Sequence, residues 1–288
     1  FAQRMKWANE WLTDSVKREQ EFSLPNGFDS LNWLSPHSTY LLGEDHLNQI
    51  AALAKQHGAH IHVHAAETVG EMSLVSKRHN GRTPIKVLAD TQLLANAVLA
   101  HGVHLDDTDI AMIAQHGATV THCPASNYKL ASGTARIVDL HKQGVNVALG
   151  TDGPASGNDL DLWLAMRLAG YVQKTAASDP TVLPALDVLR MATINGAKAL
   201  HIDHLVGSLE VGKYADIVVL DAFSPSLTPV FDPHVAIVAA AGRGDVCHVV
   251  VHGQVVVRDR MALTIDARAV VERANKLTPA ILASVARN

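Results

Sequence analysis

Three short segments place acid–base and metal-binding side chains at the ends of apolar runs. The first is His60-Ile61-His62-Val63-His64-Ala65-Ala66-Glu67, the second Ala97-Val98-Leu99-Ala100-His101, and the third Asn146-Val147-Ala148-Leu149-Gly150-Thr151-Asp152. Two neutral imidazoles and two carboxylates brought to one point can hold a divalent metal and move protons. His64 can ligate through a ring nitrogen. Glu67, three residues on and just past the strand end, can reach a bound water without being a ligand itself. A lone histidine on a strand face is ordinarily a hydrogen-bonded core residue, and His60 and His62 keep that structural reading. For His64 the company of Glu67, His101 and Asp152 reverses it. Asp152 lies in Gly150-Thr151-Asp152-Gly153, where flanking glycines permit a sharp turn. It reads equally as a turn aspartate or as a carboxylate aimed into a mouth.

Two further segments carry polar groups at strand ends. His122-Cys123-Pro124-Ala125-Ser126-Asn127-Tyr128-Lys129-Leu130 can be a substrate loop or a capped turn, and the loop is the favoured reading. His37, in Ser35-Pro36-His37-Ser38-Thr39-Tyr40, ends an earlier strand and is expected to face the same mouth.

The elements that must position these side chains alternate strand with helix. Strands are expected at Leu31–Ser35, His60–Ala66, Ala97–His101, Ala118–His122 and Val145–Gly150. Helices are expected at Glu44–His57, Val69–His79, Pro84–Leu94, Asp107–His116, Thr134–Gln143, Asp159–Ala176 and Leu186–Leu200. Gly58, Gly117 and Gly144 follow three of these helices directly, as a left-handed stop requires. Near-continuous apolar strands fit a parallel sheet buried on both faces. The fold class is therefore α/β, a (β/α)8 TIM-type barrel with its active site at the C-terminal ends of the strands. Five strands cannot close such a barrel, so this chain is expected to carry about strands 4–8, with strands 1–3 upstream of Phe1. His62-x-His64 then fits strand five rather than strand one. A helix is also expected from Phe1 to Val16.

After about residue 205 the pattern changes. Gly207–Asp216 is turn-rich and leads into a strand at Ile217–Leu220. A second β cluster follows, with strands at His248–His252 and Val255–Arg258 joined by a turn at Gly253-Gln254. Ala267–Val285 reads as a terminal helix. The expected division is residues 1–204 as barrel and 205–288 as a small β-rich unit with a terminal helix.

Composition narrows the function classes. At 288 residues with 48% hydrophobic content, the chain can bury a large core. No apolar run reaches the roughly 20 residues of a membrane span. The net charge is −4 and no Lys/Arg cluster marks a nucleic-acid footprint. Only two cysteines occur, Cys123 and Cys247, which argues for a reducing, cytoplasmic setting and against a thiolate zinc site or a PCxxC deaminase.

The chain resembles an amidohydrolase-superfamily deaminase and is most similar to the 5-methylthioadenosine/S-adenosylhomocysteine deaminases. The matching segments are Pro36–Tyr40, His62–Thr68, Ala100–Leu105, Cys123–Leu130, Gly150–Ser156 and Gly207–Asp216, in family order and at family spacing. The resemblance implies that His64 and Asp152 are ligands to one divalent metal, and that a His-x-His from strand one supplies the others. It implies that Glu67 shuttles protons, that His101 orients the attacking hydroxide and polarises the attacked carbon, and that His37, Glu67, Ser126 and Asn127 line the substrate pocket. The small β-rich unit would be half of a β-sandwich. Zinc suits these ligands best, while iron and manganese can use the same set. The expected partner is a small-molecule substrate, in a homo-oligomer (dimer or tetramer), without nucleic acid or membrane.

The chemistry that follows is hydrolytic deamination of an adenosine-type nucleoside such as 5′-methylthioadenosine, S-adenosylhomocysteine or adenosine. Gly157 and Ala165 depart from the subgroup, which usually carries asparagine and glutamate there. A second reading is therefore another aminated ring: guanine, 8-oxoguanine, a pterin or an s-triazine. A third, outside the enzymes, is a non-catalytic purine-binding barrel.

Overall fold

The computed structural model describes residues 1–13 and 32–285. Five strands form one parallel sheet in simple sequential order: β1 (Trp33–Leu34), β2 (His60–Ala65), β3 (Val98–His101), β4 (Thr119–His122) and β5 (Val147–Leu149). Each connection between neighbours passes through helix, as parallel strands require. The five expected strands of this sheet are present with trimmed ends. Leu31 of the first expected strand and Val16 of the first expected helix lie outside the described residues, and that helix runs Ala2–Thr13.

Register sorts the side chains onto two faces. Trp33 pairs with His60, His62 with Val98, His64 with Ala100, Ala100 with Thr121 and Thr121 with Ala148. These residues share one face. The opposite face carries Ile61, Val63, Leu99, Val120 and Val147, which pack with Leu47, Ile50, Ile85, Leu88, Ile110, Ile113 and Leu140 from the helices as the main core. That burial, at about 25 cal/mol per Å² of apolar surface, is the principal force holding helices to sheet. The His-bearing face is only half covered: β2 alternates buried Ile61, Val63 and Ala65 with half-buried His60, His62 and His64. A cavity of about 450 Å³ opens on it beside Trp33, His62, Thr121, Ala148 and Leu200. Among the described residues the sheet does not close, and β1 and β5 are its edges.

Two helices differ from expectation for local reasons. The helix expected from Asp159 begins at Leu162, because the Asp161 carboxylate caps it by accepting from the Trp163 and Leu164 amides. The helix expected over Leu186–Leu200 is two, Ala185–Met191 and Ile194–Ala199. They break at Thr193, whose hydroxyl donates back to the Leu189 carbonyl at 2.8 Å, a bond that competes with the helical ladder.

Beyond residue 205, β6 (Ile217–Leu220), β7 (Val246–Val251), β8 (Gln254–Arg258) and β9 (Met261–Ala262) form one antiparallel sheet in sequential order. Between β6 and β7 the chain makes a helical excursion, Pro233–Val235 running into a π-helical Ala236–Ala240, which the sequence pattern did not suggest. Arg167 fastens it to the barrel helices by donating to the carbonyls of Ala240 and Ala241. The terminal helix Ala267–Val285 buries none of its residues. No helix among the described residues is long and apolar enough to cross a membrane.

Candidate active site

The strand ends deliver His64, Glu67, His101 and Asp152 to one rim, and left-handed backbone does the aiming. In a regular strand His101 would face away from His64, since the ladder pairs Ala65 with His101 and His64 with Ala100. His101 has φ +78°, which rotates its side chain back over the rim. Its ring then stacks on that of His64, with centroids 5.5 Å apart and planes 24° from parallel. Ala66 (φ +55°) and Asp152 (φ +58°) turn the ends of β2 and β5 in the same way. Non-glycine residues in this region cost about 1–2 kcal/mol each, so the surrounding bonds must hold them.

At β2 the holding group is Glu71, which is 4% exposed. Its carboxylate accepts from the Ala66 amide at 3.1 Å and the Glu67 amide at 2.7 Å. The Ala66 carbonyl in turn accepts from the amides of Val103 and His104, both at 2.9 Å, tying the β2 exit to the β3 exit. Burial pushes the Glu71 carboxyl up from its ordinary range, against the hydrogen bonds from Glu67 and Ala66. Sequence reasoning did not single out Glu71. Its signal was Thr68-x-x-Glu71 directly after a strand, a helix-start pattern: Thr68 does cap the helix Val69–Arg78, but the glutamate reaches past it to the strand end.

The imidazoles are individually constrained. His64 donates Nδ1–H to the His37 carbonyl at 2.9 Å. A carbonyl only accepts, so neutral His64 presents Nε2 as a free lone pair, the form a metal ligand needs. His37 stacks on His64 at 4.8 Å. Burial, then the charge of His64, lowers the His37 pKa, with Glu67 acting the other way. His101 places Nδ1 3.0 Å from Asn127 Oδ1 and Nε2 3.8 Å from Glu67 Oε2. His62 stays on the open face, its pKa lowered by burial and by the charges of His64 and His101. His60 packs against the rings of Trp33 and His201, which also stack on each other.

Asp152 accepts from Ser126 Oγ at 2.7 Å and from the Gly153 amide at 2.7 Å. Burial alone would raise its pKa. The bonds from Ser126 and Gly153, with the charge of His101, outweigh burial and hold it below the ordinary carboxylate range. Asp152 is thus an anion ready to accept a cation or a proton. Gly150 permits the approach, since a Cβ there would meet Thr121 Cγ2 at 2.9 Å and Cys123 Sγ at 3.0 Å. Ser126 and Asn127, expected at the substrate pocket, are both fully buried in the short helix Pro124–Lys129. Their polar atoms serve Asp152 and His101.

The donor set is right in kind for a divalent metal and small in number. His64 Nε2 and the Asp152 carboxylate suit zinc, iron or manganese. Among the described residues no group of three or more His, Cys, Asp or Glu side chains could hold a metal ion. His64 and Asp152 therefore amount to half of a four-coordinate shell. A cavity of about 740 Å³ lies at the opposite, N-terminal end of β2, beside Lys55, Gly58, His60 and Asn96, and none of the four rim side chains lines it.

A parallel sheet with histidine and acid–base groups at its C-terminal rim defines a class of hydrolase scaffold, and residues 13–256 match the model of the amidohydrolase family. The chain belongs to that family. It is 42% identical over 88% of its length to the 5-methylthioadenosine/S-adenosylhomocysteine deaminase of Desulforudis audaxviator, of which it covers 59%. It is 43% identical over 84% of its length to the 5′-deoxyadenosine deaminase of Methanothermobacter thermautotrophicus, covering 56% of that protein. Its fold superposes on the zinc-bound crystal structure of an adenosine deaminase from Xanthomonas campestris with a TM-score of 0.84 and 34% identity, over 86% of this chain and 57% of the other. The chain thus spans just over half the length of the relatives it matches.

Proposed function

We propose that this chain forms the larger part of a metal-dependent hydrolytic deaminase that releases ammonia from an adenosine-type nucleoside. The observation carrying this reading is the single rim that joins a His64 with a free Nε2, an anionic Asp152, a Glu67 and a His101 held by hydrogen bonding. The likeness to deaminases of methylthioadenosine, deoxyadenosine and adenosine supports the substrate class. His64 and Asp152 would hold the metal, zinc in the first instance. The remaining donors would come from the part of the longer relatives that this chain does not span.

When bound, a divalent metal lowers the pKa of water to about 7 and so supplies a nucleophile at neutral pH. The protein's own groups do the rest. Asp152, kept ionised by Ser126 and Gly153, accepts the proton of the attacking water. His101 hydrogen-bonds the attacking oxygen and directs it at the ring carbon bearing the amino group. Glu67, fixed at its backbone by Glu71, relays protons that come from the water itself: one goes to the ring nitrogen as the oxygen adds, and the one taken up by Asp152 goes on to the departing amine. General acid–base help of this kind contributes roughly 10²–10⁴-fold.

The two subgroup departures bear on substrate choice. A Cβ at Gly157 would stand 2.8 Å from the Thr151 carbonyl, so this backbone has no room for asparagine there. Ala165 is fully buried, where a glutamate would be a desolvated charge. These differences favour a reshaped pocket and keep a second reading open, another aminated ring such as guanine, 8-oxoguanine, a pterin or an s-triazine. The deciding experiment is ammonia release by the full-length protein in zinc-supplemented buffer, across adenosine thioethers, adenosine, guanine, 8-oxoguanine, pterins and aminotriazines. Adenosine-type rings are expected to win by orders of magnitude, because a site that hydrogen-bonds one ring edge rejects rings that leave its groups unpaired. A hundredfold preference for another ring would transfer the assignment to that ring. No ammonia from any of them would end the deaminase reading.

A further inference from the structure

The Ser126-Asn127 pair has a use that the resemblance does not assign to it. His101 is 1% exposed and turned by its left-handed backbone, so its ring must find its hydrogen-bond partner within the protein. One nitrogen lies at hydrogen-bonding distance from a side chain, Nδ1 at 3.0 Å from Asn127 Oδ1, while Nε2 stands 3.8 Å from Glu67 Oε2, beyond hydrogen-bond reach. An amide oxygen only accepts. A neutral imidazole bonded this way must carry its proton on Nδ1 and its lone pair on Nε2, directed toward Glu67 and the rim.

Asn127 is well placed to impose that choice. It is fully buried, its amide donates to the Cys123 carbonyl at 3.0 Å, and its carbonyl accepts from Ser132 at 2.8 Å. Its Nδ2 has no hydrogen-bond partner among the described residues, so the one side-chain bond the amide makes is the one to His101. The preceding residue does the parallel service for Asp152, with Ser126 Oγ donating to Oδ2 at 2.7 Å. One turn of helix thus touches two of the rim groups from behind.

We infer that Asn127 is a positioning residue that fixes the tautomer and orientation of His101, leaving Nε2 as the lone pair that meets the attacking water, and that it does not contact substrate. The inference rests on the deaminase reading for its consequence in turnover, though not for the tautomer itself. A wrong tautomer would present an N–H where an acceptor is needed. Loss of an orienting partner of this kind typically costs 10–100-fold.

The test has two arms. In the full-length protein labelled with 15N-histidine, the His101 ring signals are identified by their absence in His101→Asn. In mildly alkaline buffer they should show protonated Nδ1 and lone-pair Nε2. Finding the proton on Nε2 in the unsubstituted protein would overturn the inference without any variant having to fold. In the second arm, Asn127→Leu, of similar volume, should lose the fixed tautomer and lower kcat roughly 10–100-fold with KM near the parent value. Asn127→Asp keeps the acceptor and should restore the tautomer and most of kcat. A raised KM at unchanged kcat would make Asn127 a substrate contact instead, against the inference, as would an unaltered tautomer in Asn127→Leu. If the tautomer behaves as expected but no ring releases ammonia, positioning stands and the proposed reaction falls.

Discussion

His122 should give this protein a specific weakness to mild acid. It ends β4 fully buried, and among the described residues neither ring nitrogen has a hydrogen-bond partner. Burial, with a smaller contribution from the charge of His101, pushes its pKa from the ordinary 6.5 down to about 3. The folded state therefore keeps His122 neutral over a range in which the unfolded chain binds a proton. Because the folded pKa is depressed, the associated stability is complete above pH 6.5 and is lost as pH falls from 6.5 toward 3. One proton corresponds to about 1.4 kcal/mol per pH unit, so the loss should be about 1.4 kcal/mol at pH 5.5 and about 2.7 kcal/mol at pH 4.5. Other histidines and the carboxylates add slopes of their own. The assay is accordingly a difference: urea unfolding of the parent protein and of His122→Leu at a series of pH values between 7.5 and 4.5. The variant should lose stability more gently, and the difference between the two curves should shift in the variant's favour by about 2–3 kcal/mol across that range. Parallel curves would refute the reasoning, since they would mean that His122 is solvated or partnered in the folded protein.

Three further outcomes are expected. Asp152→Ala should abolish both metal retention and turnover in the full-length protein, while Glu67→Gln should keep its metal and lose roughly 10²–10⁴-fold in kcat, because only proton transfer is removed; a fully active Glu67→Gln takes Glu67 out of the mechanism. Residues 1–288 alone should bind zinc weakly in equilibrium dialysis, since two donors make half a shell, and stoichiometric retention would show that the donor set is complete without help. Glu71→Ala leaves the amides of Ala66 and Glu67 unpaired, at about 1–3 kcal/mol each. It should lower stability in urea by about 2–4 kcal/mol, and a change within about 0.5 kcal/mol would remove Glu71 from its supporting role.

Much of the fold was legible because strong local signals agreed. The helix Glu44–His57 and the strand Ile217–Leu220 have the expected limits, the first closed by Gly58 at φ +61°. The meeting of His64, Glu67, His101 and Asp152 at one rim was legible, because each stands at the end of an apolar run. What sequence could not supply was the aim of the side chains. Strict alternation would have turned His101 away from the rim, and only its positive φ brings it back. Glu71 was hidden because its carboxylate serves backbone amides of the preceding strand end, a tertiary choice that a capping pattern does not announce. The break at Thr193 was hidden for a similar reason: the residue is an ordinary helix member until its hydroxyl bonds backward. Ser126 and Asn127 read from sequence as pocket polar residues, and their bonds to Asp152 and His101 from a buried turn could be found only in the structure.

The left-handed exits at Ala66, His101 and Asp152 also say something about how this rim responds to selection. Each corner would relax with glycine, and His101 and Asp152 would relax with asparagine, which tolerates such a backbone far better than most residues. A population selected for heat tolerance alone would therefore gain by replacing His101 and Asp152, two of the side chains the proposed chemistry uses. A β-branched residue at position 101 would be excluded on conformational grounds before its chemistry mattered. On the proposed mechanism, activity and robustness pull in opposite directions at His101 and Asp152, while Ala66 could change to glycine without touching the chemistry. A deep mutational scan scored separately for folding and for turnover should separate there more widely than anywhere on the helical shell.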